Sequence, residues 1–258
     1  MLHKKIAIAG NYFGIRQLLK TLPLKNIKVM IVPYNRADSI NYVKLISLYY
    51  KIPYLVHPKN NSVEYFQFLE KLSKYNCNLL VSNSYPLIFK ASFLEIFNFN
   101  AFNIHASLLP KNRGCDPIHW AIMKDEKLTG VTIHQIDNNV DTGNIIAQNT
   151  VEINFTDTWV LLSEKIQIAK FKLIKEILPM LLTDNLLLEK QDNNISSYNN
   201  TISEKDLEIN CVKMSHLQIY NLIRANISPS NPAYILKNDK KIYYKNFVKF
   251  DDLHYIIK

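Results

Sequence analysis

The stretch Ile6-Ala7-Ile8-Ala9-Gly10-Asn11-Tyr12-Phe13-Gly14-Ile15 passes from a short apolar run through a glycine-bearing turn into an amphipathic segment. That order is the signature of a βα unit, and its repetition downstream predicts an α/β fold with a mainly parallel sheet. Working outward, strands are expected at Ile6–Ala9, Ile27–Val32, Tyr54–Val56, Leu79–Ser82 and Ala101–His105, with helices at Ile15–Leu22, Ser39–Tyr50, Val63–Tyr75 and Leu87–Phe97 between them. Asp38 and Ser62 read as helix caps, and Asp116-Pro117 as a cap followed by a first helical proline. Thr129–Ile136 and Asn144–Ile153 alternate as strands around the turn Asp137–Gly143. The long helix Thr158–Leu182 carries Pro179, which is expected to kink or end it.

Residues 191–200, rich in Asn and Ser without periodicity, read as a linker. The expected organisation is therefore a main domain at 1–190, the linker, and a small C-terminal α+β region at 201–258. That region shows a helix at Ser215–Asn226, a hairpin of Tyr234–Lys237 and Ile242–Tyr244 around Asn238-Asp239, and a last short strand. A piece of this size buries too little to stand alone, so it is expected to dock on the main domain or pair with another subunit.

With 258 residues, 48% hydrophobic and 21% charged, the composition is that of a globular chain and excludes a disordered tail protein. The five glycines, Gly10, Gly14, Gly114, Gly130 and Gly143, compare with roughly 18 at the average usage of about 7%. They are expected where backbone has no room for a Cβ. Cys77, Cys115 and Cys211 fit neither a disulfide framework nor a Cys-x-x-Cys zinc site. Cys115 and His119 lack a second ligand pair, so no metal is expected. The opening residues hold too few apolar side chains for a signal peptide, and no stretch has the roughly 18 apolar residues of a membrane span, so a cytoplasmic protein is expected. The net charge of +9 points to anionic partners without choosing among nucleic acid, phosphorylated metabolites and lipid headgroups.

Gly10–Gly14 does not follow Gly-x-Gly-x-x-Gly and no acidic residue ends the second strand, so a nicotinamide dinucleotide is not expected. Backbone amides at Asn11 and Tyr12, at a helix start, are candidates for holding a phosphate. Asn103 and His105 lie two apart on one strand and project from the same face. Asp141 follows in Asp141-Thr142-Gly143. An amide donor, an imidazole and a carboxylate suit acyl transfer to an amine: His105 as base, Asn103 as oxyanion donor, and Asp141 to raise the basicity of His105, order a water or relay a proton. Read singly, His105 is equally a solvated or satisfied histidine and Asp141-Thr142-Gly143 a common turn. Trp120 and Trp159 read as core anchors, and Lys237, Lys240, Lys241, Lys245 and Lys249 as edge protection.

Asn103-Ile104-His105-Ala106-Ser107-Leu108-Leu109-Pro110, Arg113-Gly114, Thr129-Gly130-Val131-Thr132-Ile133-His134 and Val140-Asp141-Thr142-Gly143-Asn144-Ile145-Ile146 together resemble the core of the folate-dependent formyltransferases. The resemblance implies a Rossmann-like catalytic domain that takes the formyl group from 10-formyltetrahydrofolate without a metal, with catalytic Asn103, His105 and Asp141. It implies a folate site on the loop after the fourth strand and the turn before Asp141, at Val81, Ser82, Tyr85, Leu87, Ile88, Ile136, Asp137, Asn138 and Val140. The short connection Pro33–Asp38 lacks the basic insertion of methionyl-tRNA formyltransferases, whereas Asn221-Leu222-Ile223-Arg224-Ala225 with Pro229 and Pro232 echoes their C-terminal domain.

The mixture looks most like bacterial nucleotide-sugar N-formyltransferases, which implies a nucleotide-linked amino sugar as acceptor, dTDP-4-amino-4,6-dideoxyglucose first, for O-antigen and lipopolysaccharide sugars. It also implies a homodimer formed through the C-terminal region. Asn11, Tyr12, Lys111 and Arg113 are the candidates for the acceptor's diphosphate. The competing expectations are a methionyl-tRNA formyltransferase and, from a different class, a basic nucleic-acid-binding module on an inert α/β core.

Overall fold

A computed structural model of the chain describes residues 4–183, 185–227 and 231–253. Pro229 and the last short strand expected from sequence lie outside the described residues. In chain order the elements begin β1 (Ile6–Gly10), α1 (Tyr12–Thr21), β2 (Ile27–Pro33), α2 (Ala37–Tyr50), β3 (Tyr54–His57), α3 (Val63–Ser73), β4 (Leu79–Asn83), α4 (Ala91–Leu94) and β5 (Ala101–His105). Next come β6 (Arg113–Gly114), α5 (Pro117–Met123), β7 (Leu128–Gln135), β8 (Ile145–Glu152), α6 (Trp159–Thr183), β9 (Tyr198–Asn199), α7 (His216–Ala225), β10 (Ala233–Lys237) and β11 (Lys240–Tyr244). The main sheet runs β3-β2-β1-β4-β5-β7-β8. The β3-β2, β2-β1, β1-β4 and β4-β5 pairs are parallel, whereas β5 and β7 are antiparallel.

By packing the chain divides into two compact units. The first comprises the residues up to His105, Thr132–Gln148 and Lys170–Gln191; the second comprises Ala106–Val131, Asn149–Ala169 and the chain from Asp192 onward. In the first unit β1 and β4 are buried along their whole length, which is why both read as unbroken apolar runs. One core joins Ala7, Ala9, Val29, Ile31 and Leu80 of the sheet to Tyr65, Phe68, Phe93 and Phe97. The turn after β1 is closed by Asn11, whose side chain accepts from the Gly14 amide at 2.9 Å and caps α1. A Cβ on Gly14 would lie 2.0 Å from the Asn83 carbonyl oxygen, so only glycine lets α1 pack this close to β4.

Several local expectations change. The helix expected at Leu87–Phe97 shrinks to α4 and a 3₁₀ turn at Glu95–Phe97. The α6 helix continues through Pro179 to Thr183. Asp116 stands at the N-cap of α5 with Pro117 first in the helix, as expected, but in a left-handed conformation and without a capping bond from its side chain; its carboxylate accepts from the Ile202 amide at 3.1 Å. Arg36 rather than Asp38 stands at the start of α2, with Asp38 in its first turn. The 191–200 stretch is ordered: a 3₁₀ turn at Asn193–Ile195 leads into β9, which pairs with β6. β9 is two residues long, too short for an alternating pattern to reveal it.

In the second unit, a cluster of Ile209, Ile219, Tyr220, Leu222, Ile223, Ala233 and Leu253 takes in Met123 from α5, so the C-terminal segment borrows the core it lacks. Buried Arg224 ties α7 down by donating to the Asp157 carbonyl at 2.6 Å and to Asn221 Oδ1 at 2.8 Å. The hairpin turn Asn238-Asp239 has both residues at positive φ, as a two-residue turn between right-twisted strands requires.

Candidate active site

The site forms on one face of the β5-β7 pair. Asn103 and His105 alternate onto that face, and the antiparallel register sets Asn103 opposite His134 and His105 opposite Thr132. The turn after β7 folds back over these side chains and brings in Asp141, which is held at φ 54°, a conformation aspartate tolerates better than most residues. Its Oδ2 lies 3.4 Å from His105 Nδ1, and its Oδ1 lies 3.4 Å from both His134 Nε2 and Asn103 Nδ2. Asn103 Nδ2 is also 3.3 Å from His134 Nε2. The Asp141 side chain is 12% exposed and that of His105 8%, so the carboxylate acts on its neighbours with little solvent screening.

The protonation pattern follows from the acceptors. His134 Nδ1 faces the Gln135 carbonyl at 2.7 Å and therefore carries a hydrogen. His105 Nδ1 faces the Asp141 carboxylate, so the neutral His105 ring holds its lone pair on Nε2. The turn itself is pinned by buried Gln191, which donates to the Asp141 carbonyl at 2.9 Å and the Gly143 carbonyl at 2.7 Å. Asp137 closes the other end by accepting from the Thr142 hydroxyl and the Asn139 amide.

Asn103, His105 and Asp141 thus come together, and sequence reasoning missed the fourth member, His134. Its signal was latent in Thr132 and His134, spaced like His105 and Asn103, but pairing them required the strand register. Gln191 was missed because it sat in the expected linker.

Among the residues expected to hold folate, Val81 and Ser82 are buried in β4, with backbone committed to β1 and β5. Tyr85 and Ile136 both pack against the aromatic core cluster of the first unit. Leu87 is half-buried, while Ile88, Asn138 and Val140 are exposed beside them in sequence.

Three of the four residues expected at the diphosphate are committed elsewhere. The Asn11 amide donates to the Ser84 carbonyl and the Tyr12 amide to Ser39 Oγ, so neither is available to a phosphate. Arg113 is 1% exposed and donates to the Tyr198 hydroxyl at 2.8 Å and Asn193 Oδ1 at 3.0 Å, a structural anchor rather than a surface cation. Lys111 is exposed.

Trp120 donates through its indole to the Asn200 carbonyl, and Trp159 stacks on His119. Burial lowers the His119 pKa. Among the described residues no group of three or more His, Cys, Asp or Glu is placed to hold a metal, and no helix is long and apolar enough to cross a membrane.

An asparagine, two histidines and an aspartate converging beside an α/β sheet match a known class. The formyl transferase family model covers residues 6–178, and the chain belongs to that family of formyl-transferring enzymes. Its relatives include the bifunctional polymyxin resistance protein ArnA of Wigglesworthia glossinidia brevipalpis, 33% identical over 93% of this chain but only 36% of ArnA, so the chain spans well under half of that protein. Methionyl-tRNA formyltransferase of Staphylococcus aureus strain Newman is 32% identical over 82% of this chain and 67% of its own length. The N-formyltransferase from Helicobacter canadensis, solved with folinic acid and dTDP-3-aminofucose, superposes with a TM-score of 0.70 at 26% identity, covering 93% of this chain and 86% of that one.

Proposed function

We propose that the chain transfers the formyl group of 10-formyltetrahydrofolate to the amino group of a nucleotide-linked amino-deoxysugar. The observation that carries this reading is the Asp141 carboxylate held against His105, His134 and Asn103 on one face of the sheet. His105 Nε2 takes the proton that the amine loses as its nitrogen attacks the formyl carbon. Asn103, whose present contacts at 3.3 to 3.4 Å are long for hydrogen bonds, swings its amide onto the oxyanion. Asp141 holds the His105 ring in the productive tautomer and balances the imidazolium. The carbon–N10 bond then breaks, and the proton held on His105 passes to the departing nitrogen.

The donor supplies the formyl carbon. Tyr85, Leu87, Ile88, Ile136, Asp137, Asn138 and Val140 would hold its pterin, since exposed Ile88 and Val140 offer apolar surface. Lys111 is the remaining candidate for the acceptor's diphosphate. The Helicobacter canadensis neighbour, solved with dTDP-3-aminofucose, supports a dTDP-amino sugar. We take dTDP-4-amino-4,6-dideoxyglucose as the first acceptor to try, with O-antigen and lipopolysaccharide sugar synthesis as the setting. A cytoplasmic homodimer formed through residues 201–258 completes the reading.

The test is incubation with 10-formyltetrahydrofolate and a panel of dTDP- and UDP-amino sugars, with charged initiator tRNA alongside, read by mass spectrometry. Formylated sugar supports the reading. Turnover of the tRNA alone overturns it in favour of a methionyl-tRNA formyltransferase.

A further inference from the structure

His57 closes β3, has no exposed surface and plays no part in the cluster around Asp141. Its ring lies within a stack of aromatics, parallel to Phe68 at 4.9 Å and Phe93 at 5.5 Å, with Tyr65, Phe89 and Tyr85 around it. Both ring nitrogens are used. Nδ1 lies 2.6 Å from the Tyr85 hydroxyl and Nε2 lies 3.1 Å from Asn60 Oδ1. Asn60 in turn donates from Nδ2 to the Ile88 carbonyl at 2.9 Å.

The network fixes its own hydrogens. The Ile88 carbonyl only accepts, so Asn60 must turn its nitrogen there and its oxygen to His57; Nε2 then carries the hydrogen and Nδ1 accepts from Tyr85. Burial lowers the His57 pKa to about 4, so the neutral ring this pattern needs persists through the physiological range.

The two ends so held, Tyr85 and Ile88, bracket the loop after β4. β3 and β4 are separated in the sheet by β2 and β1, so the bonds join segments that the ladder leaves unconnected. We propose that His57 and Asn60 are positioning residues for the formyl donor, clamping both ends of the 85–88 loop in the shape that receives the pterin. The inference rests on the donor site proposed above and adds two residues outside it. The clamp acts on donor affinity and leaves the chemistry of the bound complex alone.

Folinic acid is the probe, titrated against the full-length chain by fluorescence, with steady-state kinetics and thermal unfolding in parallel. Asn60→Ala keeps the ring stack and removes the bridge between His57 Nε2 and the Ile88 carbonyl. It is expected to weaken folinic acid binding and raise KM for the donor about tenfold, leaving KM for the amine and kcat at saturating donor unchanged. His57→Leu is expected to do the same, with a lower Tm from the stranded Tyr85 hydroxyl. His57→Gln, whose carboxamide offers one acceptor and one donor as the neutral ring does, is expected to restore binding to within about threefold.

Folinic acid binding by Asn60→Ala and His57→Leu within twofold of wild type overturns the clamp, as does a loss in His57→Leu that His57→Gln does not recover. A wild-type chain that binds folinic acid but formylates no sugar overturns only the acceptor reading, and the variants' binding still decides the clamp. A wild-type chain that binds no folinic acid overturns both.

Discussion

Gly143→Ala offers the sharpest test of how the Asp141 turn serves the site. Gly143 is buried, and a Cβ there would sit 2.0 Å from the Gln135 carbonyl oxygen and 2.7 Å from its carbon. Ordinary van der Waals contact begins at 3.4 Å, so the turn or the end of β7 must give way by about 1 Å or more. Gln191 ties the turn through the Asp141 and Gly143 carbonyls, so the displacement passes into Asp141, two residues away. Its carboxylate contacts with His105 and His134 are already 3.4 Å.

A misplacement of about 1 Å at a reacting constellation costs on the order of 10²-fold in rate. The overpacking itself costs about 1–3 kcal/mol, or about 2–12 °C in Tm for a chain of this size. The assay is kcat for formylated product, with folinic acid affinity and Tm measured on the same preparation. The expected result is a fall in kcat of about 10² with folinic acid binding retained. A folded Gly143→Ala variant with wild-type kcat would refute the argument, because it would show that the turn absorbs the clash without moving the carboxylate.

Asn103→Ala and His105→Ala should each lower turnover by about 10² or more with unchanged Tm; wild-type turnover in both would place the site elsewhere. The His57 pKa lies at about 4 when folded and at the ordinary 6.5 when unfolded. The unfolded chain therefore takes up the proton first, so stability is complete above pH 6.5 and falls as pH drops towards 4, by about 3 kcal/mol from this group. Urea unfolding of wild type and His57→Gln at pH 7 and pH 4.5 should show the variant losing less, and parallel losses would contradict it. Arg113→Ala, which leaves a hole where a side chain 1% exposed was packed and removes its bonds to the solvent-facing Tyr198 hydroxyl and Asn193 Oδ1, should cost about 1–3 kcal/mol. Arg113→Lys should rescue little, since one ammonium cannot reproduce the guanidinium fork; a cost below about 0.5 kcal/mol for the alanine variant would return Arg113 to the surface.

Elements whose signal is local were legible in the sequence read in order. Ala101–His105 forms the expected strand, the apolar runs at Ile6 and Leu79 are buried strands, and Asn238-Asp239 turns the hairpin. Spacing of two along a strand was enough to put Asn103 and His105 on one face, because side-chain alternation is a property of the extended backbone. Only the tertiary structure supplied what depends on pairing between distant segments. It set His134 opposite Asn103 and turned Arg113 inward onto Tyr198 and Asn193. It also spent the Asn11 and Tyr12 amides on Ser84 and Ser39, and brought His57 to Tyr85. Periodicity reports which face of its own element a residue occupies, whereas the partner that satisfies a buried charge or amide is chosen by strand order and register, which no local pattern carries.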